Sequence, residues 1–168
     1  MFPDHLTTLA AHIVAQLAAR GESLATAESC TGGLIAALVT EIPGASRVFR
    51  YGWVTYCNEA KSQELAVPRE LIARHTVVSE PVVQAMAASA RQQAAAHYAL
   101  AVSGNAGPTA APGEPAVGTV CLALAAPRRL RSLTLVHPGL SRHAFRLLVV
   151  DKALQLLQEE LAPSPRRP

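Results

Sequence analysis

Leu6, Leu9, Ile13 and Leu17 recur at helical spacing, which predicts an amphipathic helix over residues 4–20 with Gly21 as its stop. A short apolar stretch over residues 23–27 then reads as a strand. The pattern returns to helix from Thr31 to Glu41 and is broken by "IPGAS". Residues 47–57, "RVFRYGWVTYC", are rich in β-branched and aromatic types and predict a second strand. Asn58 to Ala66 is helical again, and Pro68 opens a further turn. Ser79, Glu80 and Pro81 combine a hydroxyl cap, an early acid and an early proline, so the alanine-rich "PVVQAMAASARQQAAAH" is a helix. The strand "YALAVSG" leads into a glycine- and proline-rich loop from Gly104 to Pro115, followed by the strands "VGTVCLALA" and "RSLTLV". Residues 141–161 close the pattern as a long helix carrying Leu147, Leu148, Ala153, Leu154 and Leu157.

Helices and strands alternate, which predicts an α/β layered fold with helices covering a mixed sheet. No internal repeat and no dividing linker occurs, so residues 1–162 are expected to form a single domain, with 163–168 as a disordered tail. The 168 residues are enough to bury about two-thirds of the surface of the unfolded chain. The hydrophobic share of 50% against 16% charged residues excludes disorder for the bulk of the chain.

The net charge of +3 is small and scattered, without a basic stripe interleaved with aromatics, so no nucleic-acid partner is expected. No apolar run reaches the ~18 residues of a membrane span, and no secretory leader is visible, so no membrane partner is expected. The three cysteines, Cys30, Cys57 and Cys121, form no CxxC pair, which fits a reducing cytoplasm. No cluster of His, Cys, Asp or Glu has metal-ligand spacing, so a mechanism without metal or cofactor is expected.

Three polar or glycine-bearing loops follow strands: "ESCTGG", "YCNEAK" and "SGNAGP". In layered α/β folds such loops gather beyond the strand ends and build sites. Ser29 lies where a strand hands over to a helix, next to amides that can hold an oxyanion or a phosphate. Gly32 and Gly33 leave room for a ligand. The same residues also suit a plain helix cap at Ser29 or Thr31. A serine needs a base, and none of the six histidines lies in these loops. His137 and His143, at the start of the last helix, remain open as bases. Lys61, five residues after Tyr56, offers another, provided that it is held neutral. Cys30 is a rival nucleophile, since a thiol at a helix start is easily ionised. The loop 103–108 is no Walker loop, and it either cradles a phosphate or carbonyl or merely reverses the chain.

The stretches "TAESCTGGLIAALVTEIPGAS", "GWVTYCNEAK", "VSEPVVQAMA", "AVSGNAGP" and "PAVGTV" together resemble the CinA carboxy-terminal domain family, in order from about residue 5 to residue 160. Its stand-alone members are nicotinamide-nucleotide amidohydrolases, and its longer members carry an additional amino-terminal domain. The resemblance implies the stand-alone form, a three-layer α/β/α sandwich, a homo-oligomer and a small nucleotide as substrate. It implies hydrolysis of nicotinamide mononucleotide to nicotinate mononucleotide and ammonia, with Ser29 as nucleophile supported by Lys61 and Tyr56. Lys61 would take the Ser29 proton, directly or through Tyr56. The amides of Cys30, Thr31, Gly32 and Gly33 would hold the oxyanion. The substrate-binding set is completed by Asn58, by Ser103, Gly104, Asn105, Ala106 and Gly107, and by Arg142, with Arg146 as a second candidate for the phosphate. Two departures stand out. The family loop commonly reads "SGIAGP", whereas Asn105 stands here, and the following "TAAPGEPAVGTV" carries Glu114 in place of the family's glycine pair and lysine. A nucleotide sensor without turnover, or an amidase for another small amide, would use the same fold.

Overall fold

The structure, a computed structural model, describes residues 2–110 and 112–162, so the tail expected at 163–168 lies outside the described residues. Its elements run α1 (Asp4–Arg20), β1 (Leu24–Glu28), α2 (Leu34–Thr40), β2 (Phe49–Val54), α3 (Asn58–Leu65), α4 (Arg69–His75), α5 (Glu80–Gln93), β3 (Tyr98–Gly104), β4 (Thr119–Ala125), β5 (Leu130–Val136) and α6 (Arg142–Leu161). The five strands form one sheet in the order β2-β1-β3-β4-β5. β1 pairs in parallel with β2 and with β3, whereas β4 runs antiparallel to both of its neighbours. None of the described helices is long and apolar enough to cross a membrane.

Two helical layers cover the sheet, and side-chain size decides which layer sits where. β1 and β4 are buried along their whole length, and β3 from Tyr98 to Ser103. In β3 and β4 the alternation is therefore large against small rather than apolar against polar, whereas β1 sets Leu24, Thr26 and Glu28 against Ala25 and Ala27. Leu24, Leu100, Val102, Val120, Leu122 and Leu124 form one face and pack with α1, α2 and α6. Ala25, Ala27, Ala99, Ala101, Ala123 and Ala125 form the other, and α5 lies over them with Val82, Val83, Met86, Ala87 and Ala90. The methyl-lined face lets α5 lie close to the sheet. The result is the three-layer α/β/α sandwich with a mixed sheet.

The observed elements depart from the predicted ones where tertiary contacts outweigh local pattern. α2 begins at Leu34, three residues after the expected Thr31, because Gly32 and Gly33 adopt left-handed backbone with φ of +60° and +92°. α5 stops at Gln93 although alanines continue to Ala96. There Ala95 takes φ +46°, and the chain turns so that the Tyr98 amide can donate to the Ser23 carbonyl at the start of β3. β2 is shorter than expected at both ends, since residues 45–47 form a single 3₁₀ turn and the strand ends at Val54.

The size alternation makes the small face intolerant of bulk. Ala123→Leu is expected to destabilise the fold by about 1–3 kcal/mol through overpacking against α5. Urea unfolding checks it, and an unchanged midpoint would mean that the α5 layer is not close-packed there.

Candidate active site

β1 ends in Glu28, and the alternation along the strand sends Glu28 and Ser29 to opposite faces. Glu28 is fully buried on the α2 side. Its carboxylate accepts from the Thr31 hydroxyl at 2.6 Å and from the amides of Gly33, Ile35 and Ala36 at 3.1, 3.0 and 2.9 Å. A carboxylate at a helix start satisfies free amides and complements the helix dipole. It also occupies them. Of the four turn amides expected to face an oxyanion, that of Gly33 binds Glu28 and that of Gly32 donates to the Ser29 carbonyl at 3.0 Å. Among the described residues, the amides of Cys30 and Thr31 have no backbone acceptor.

Ser29 faces the other way, towards α3. Lys61, in the first turns of α3, reaches back so that its Nζ lies 3.0 Å from Ser29 Oγ and donates to the Thr55 carbonyl at 2.7 Å. Lys61 is 1% exposed, and among the described residues no carboxylate pairs with it. Burial without a counter-charge disfavours the ammonium form, and the Lys61 pKa falls to about 8. The Thr55 carbonyl holds one N–H and thereby aims the nitrogen at the hydroxyl.

Ser29, Lys61 and the ends of all three parallel strands open into one cavity of about 280 Å³. Cys30, Tyr56 and Asn58 line it, as do Ser103 to Gly107 and Arg142. Thr31, Gly32 and Gly33 are not part of its lining, because they serve the start of α2 instead. Tyr56 is 59% exposed, and its hydroxyl accepts from Arg142 at 2.6 Å. Arg142 also donates to the Gly107 carbonyl at 2.6 Å and so ties α6 to two of the loops. The Ser29–Lys61 contact is direct and leaves no gap for Tyr56 to bridge. Arg146 donates to the Thr31 carbonyl at 2.6 Å, behind the serine turn.

The remaining expected ligands mostly brace their own loops. Asn105 accepts from the Gly107 amide at 3.0 Å and donates to the Pro115 carbonyl at 3.1 Å. Ser103 donates to the Val77 carbonyl at 2.9 Å. Gly104 packs so closely on β4 that a Cβ would stand 2.9 Å from the Thr119 carbonyl oxygen. The Cys30 thiol is pushed up to about 12, mainly by burial and then by the nearby Glu28 charge. It is thus a poor source of thiolate. His137 and His143 do not line the cavity. Glu28, the Thr55 carbonyl and the cavity-lining Val77 and Val78 were not foreseen from sequence.

The buried amine makes a stability prediction. The fall from 10.5 to about 8 corresponds to roughly 3 kcal/mol against the charged form. Below pH 8 Lys61 is protonated in both folded and unfolded chain, and the fold carries that cost in full. Between pH 8 and 10.5 only the unfolded chain keeps the proton, so the cost fades as pH rises. Lys61→Met is expected to stabilise the fold by roughly 1–3 kcal/mol at pH 7, with the gain shrinking above pH 8. Chemical denaturation at pH 7 and pH 10 checks it, and a gain equal at both values would contradict it.

Comparison with known proteins adds kinship to this geometry. The family model for the CinA C-terminal domain matches residues 6–161. A CinA-like protein of an Anaeromyxobacter species is 46% identical over 158 residues, 94% of this chain, and the chain spans 38% of that relative's length. The nicotinamide-nucleotide amidohydrolase PncC of Escherichia coli is 47% identical over 128 residues, covering 76% of this chain and 78% of that protein. The crystal structure of the competence/damage inducible protein CihA from Agrobacterium tumefaciens superposes with a TM-score of 0.91 at 38% identity, covering 95% of this chain and 97% of that one.

Proposed function

The chain belongs to the CinA C-terminal domain family, and from that premise we propose that it is an amidohydrolase converting nicotinamide mononucleotide and water to nicotinate mononucleotide and ammonia. One observation carries the reading: a serine hydroxyl lies 3.0 Å from a buried lysine amine with a pKa of about 8, at the wall of a small cavity. A lowered lysine pKa is what a general base near neutral pH requires. The kinship to the Escherichia coli nicotinamide-nucleotide amidohydrolase supports a nucleotide carboxamide as substrate.

Neutral Lys61 removes the proton from Ser29 Oγ as that oxygen bonds to the carboxamide carbon. The carbonyl electron pair moves onto oxygen, where the amide of the cavity-lining Cys30 is a turn donor not engaged by other backbone or by Glu28. Collapse of the tetrahedral intermediate breaks the carbon–nitrogen bond, and the Lys61 ammonium gives its proton to the departing nitrogen, releasing ammonia. Lys61 then takes a proton from water, the hydroxide attacks the Ser29 ester, and the carboxylate leaves as Ser29 Oγ is reprotonated. Arg142, fixed by Tyr56 and Gly107, supplies positive charge at the cavity for the substrate phosphate. Tyr56 acts here by holding that guanidinium.

Ser29→Ala is expected to leave a folded protein that releases no ammonia from nicotinamide mononucleotide. Wild-type kcat/KM should rise with pH around a midpoint near 8, roughly tenfold between pH 7 and pH 9 as the neutral amine accumulates. Near-normal turnover by the alanine variant, or a flat profile over that interval, would exclude the serine–lysine scheme. Cys30→Ala should retain the activity, because its thiol stays protonated across the same range. Loss of ammonia release in a folded Cys30→Ala protein would instead point to the thiol.

A further inference from the structure

The segment between α4 and α5 contains a threonine in a backbone region that suits only glycine. Thr76 has φ +63° and ψ 163°. A β-branched residue is a clear outlier there, and such strain persists only where the surroundings hold it. Two hydroxyls do so from different elements. Ser79 Oγ, at the start of α5, donates to the Thr76 carbonyl at 2.9 Å, and Ser103 Oγ, at the end of β3, donates to the Val77 carbonyl at 2.9 Å. The two residues that follow Thr76 are Val77 and Val78, and both line the cavity that contains Ser29. Val78 is buried in the α5-side core, with Val77 packed against it. The cavity is otherwise rimmed mainly by polar loops, so this is its branched apolar wall.

We propose that Val77 and Val78 are the wall on which the substrate's flat ring lies, and that the braced backbone at Thr76, just before them, makes the site select aromatic over aliphatic carboxamides. This rests on the amidohydrolase reading above. A carboxamide carbon held at Ser29 Oγ keeps its attached ring within one ring-width of the serine. The Val77–Val78 surface is continuous with the core and is stiffened at the Thr76 and Val77 carbonyls, so it can resist a ring edge or face without yielding. An aliphatic amide lacks the planar surface that such a wall rewards. Ser103 is accordingly a positioning residue: it acts on the substrate through the Val77 carbonyl.

The test is steady-state ammonia release from nicotinamide mononucleotide and from glutamine, with Tm measured in parallel. Val77→Ala should raise KM for nicotinamide mononucleotide about tenfold, the usual worth of lost apolar contact in a pocket. Its kcat should stay within about twofold, and its pH midpoint should be unmoved, because the base is untouched. Thr76→Gly should raise Tm by relieving the strain, yet also raise KM by freeing the wall. Ser103→Ala should raise KM in the same direction. Discrimination against glutamine should narrow in all three. A wild-type KM in both Val77→Ala and Thr76→Gly would overturn the wall while leaving the amidohydrolase reading standing. Wild-type protein silent on nicotinamide mononucleotide would overturn both.

Discussion

An amine taken out of water and given only neutral oxygens is the constraint on which the rest of this structure turns. Lys61 is almost fully buried, touches a serine hydroxyl and a backbone carbonyl, and pairs with no acid among the described residues. Such a contact is unfavourable for the charged form and must be held by the surrounding fold. The sandwich supplies that support. β1 brings Ser29 to the sheet's carboxyl edge, β2 brings the Thr55 carbonyl beside it, and α3 starts close enough for the lysine to fold back. Stability is given up locally, and the amine's pKa falls to about 8.

The carboxyl group next to the serine is kept on the far face. Glu28 is adjacent to Ser29 in sequence, yet its carboxylate is enclosed by the first turn of α2. Turned towards Lys61 instead, it would stabilise the ammonium form of that amine. In its actual position it holds the serine turn rigid and leaves two of the turn's amides free of backbone partners. Arg142 and Arg146, one helical turn apart on α6, close the same corner through carbonyls of two different loops.

The layered fold was legible because alternating helix and strand patterns survive in the buried strands, and because "SEP" and the glycine breaks mark element ends clearly. The convergence of the serine, lysine and glycine loops followed from their positions after strands. What remained hidden depends on backbone groups and on facing. The late start of α2 comes from the left-handed Gly32 and Gly33, and the carboxylate that takes up its first amides lies outside the helix, which no cap pattern reveals. The Thr55 carbonyl that aims Lys61 leaves no side-chain signature. Tyr56 and Lys61 are close in sequence, but an exposed phenol and a buried amine part company once the strand ends. Thr76 gave no sign at all, since threonine is the wrong residue for its backbone.

Alanine holds every second position of β1, opposite the face that carries Leu24, Thr26 and Glu28, and this has a chemical consequence. A slip of one position would drive Leu24, Thr26 and Glu28 into the methyl-lined layer and leave voids opposite, which close packing penalises on both sides. The same slip would point the carboxylate at the lysine and the hydroxyl at α2. The fit of the small alanine face against α5 thus proofreads which oxygen meets the amine, and a strand buried on both faces still encodes the orientation of its carboxyl end.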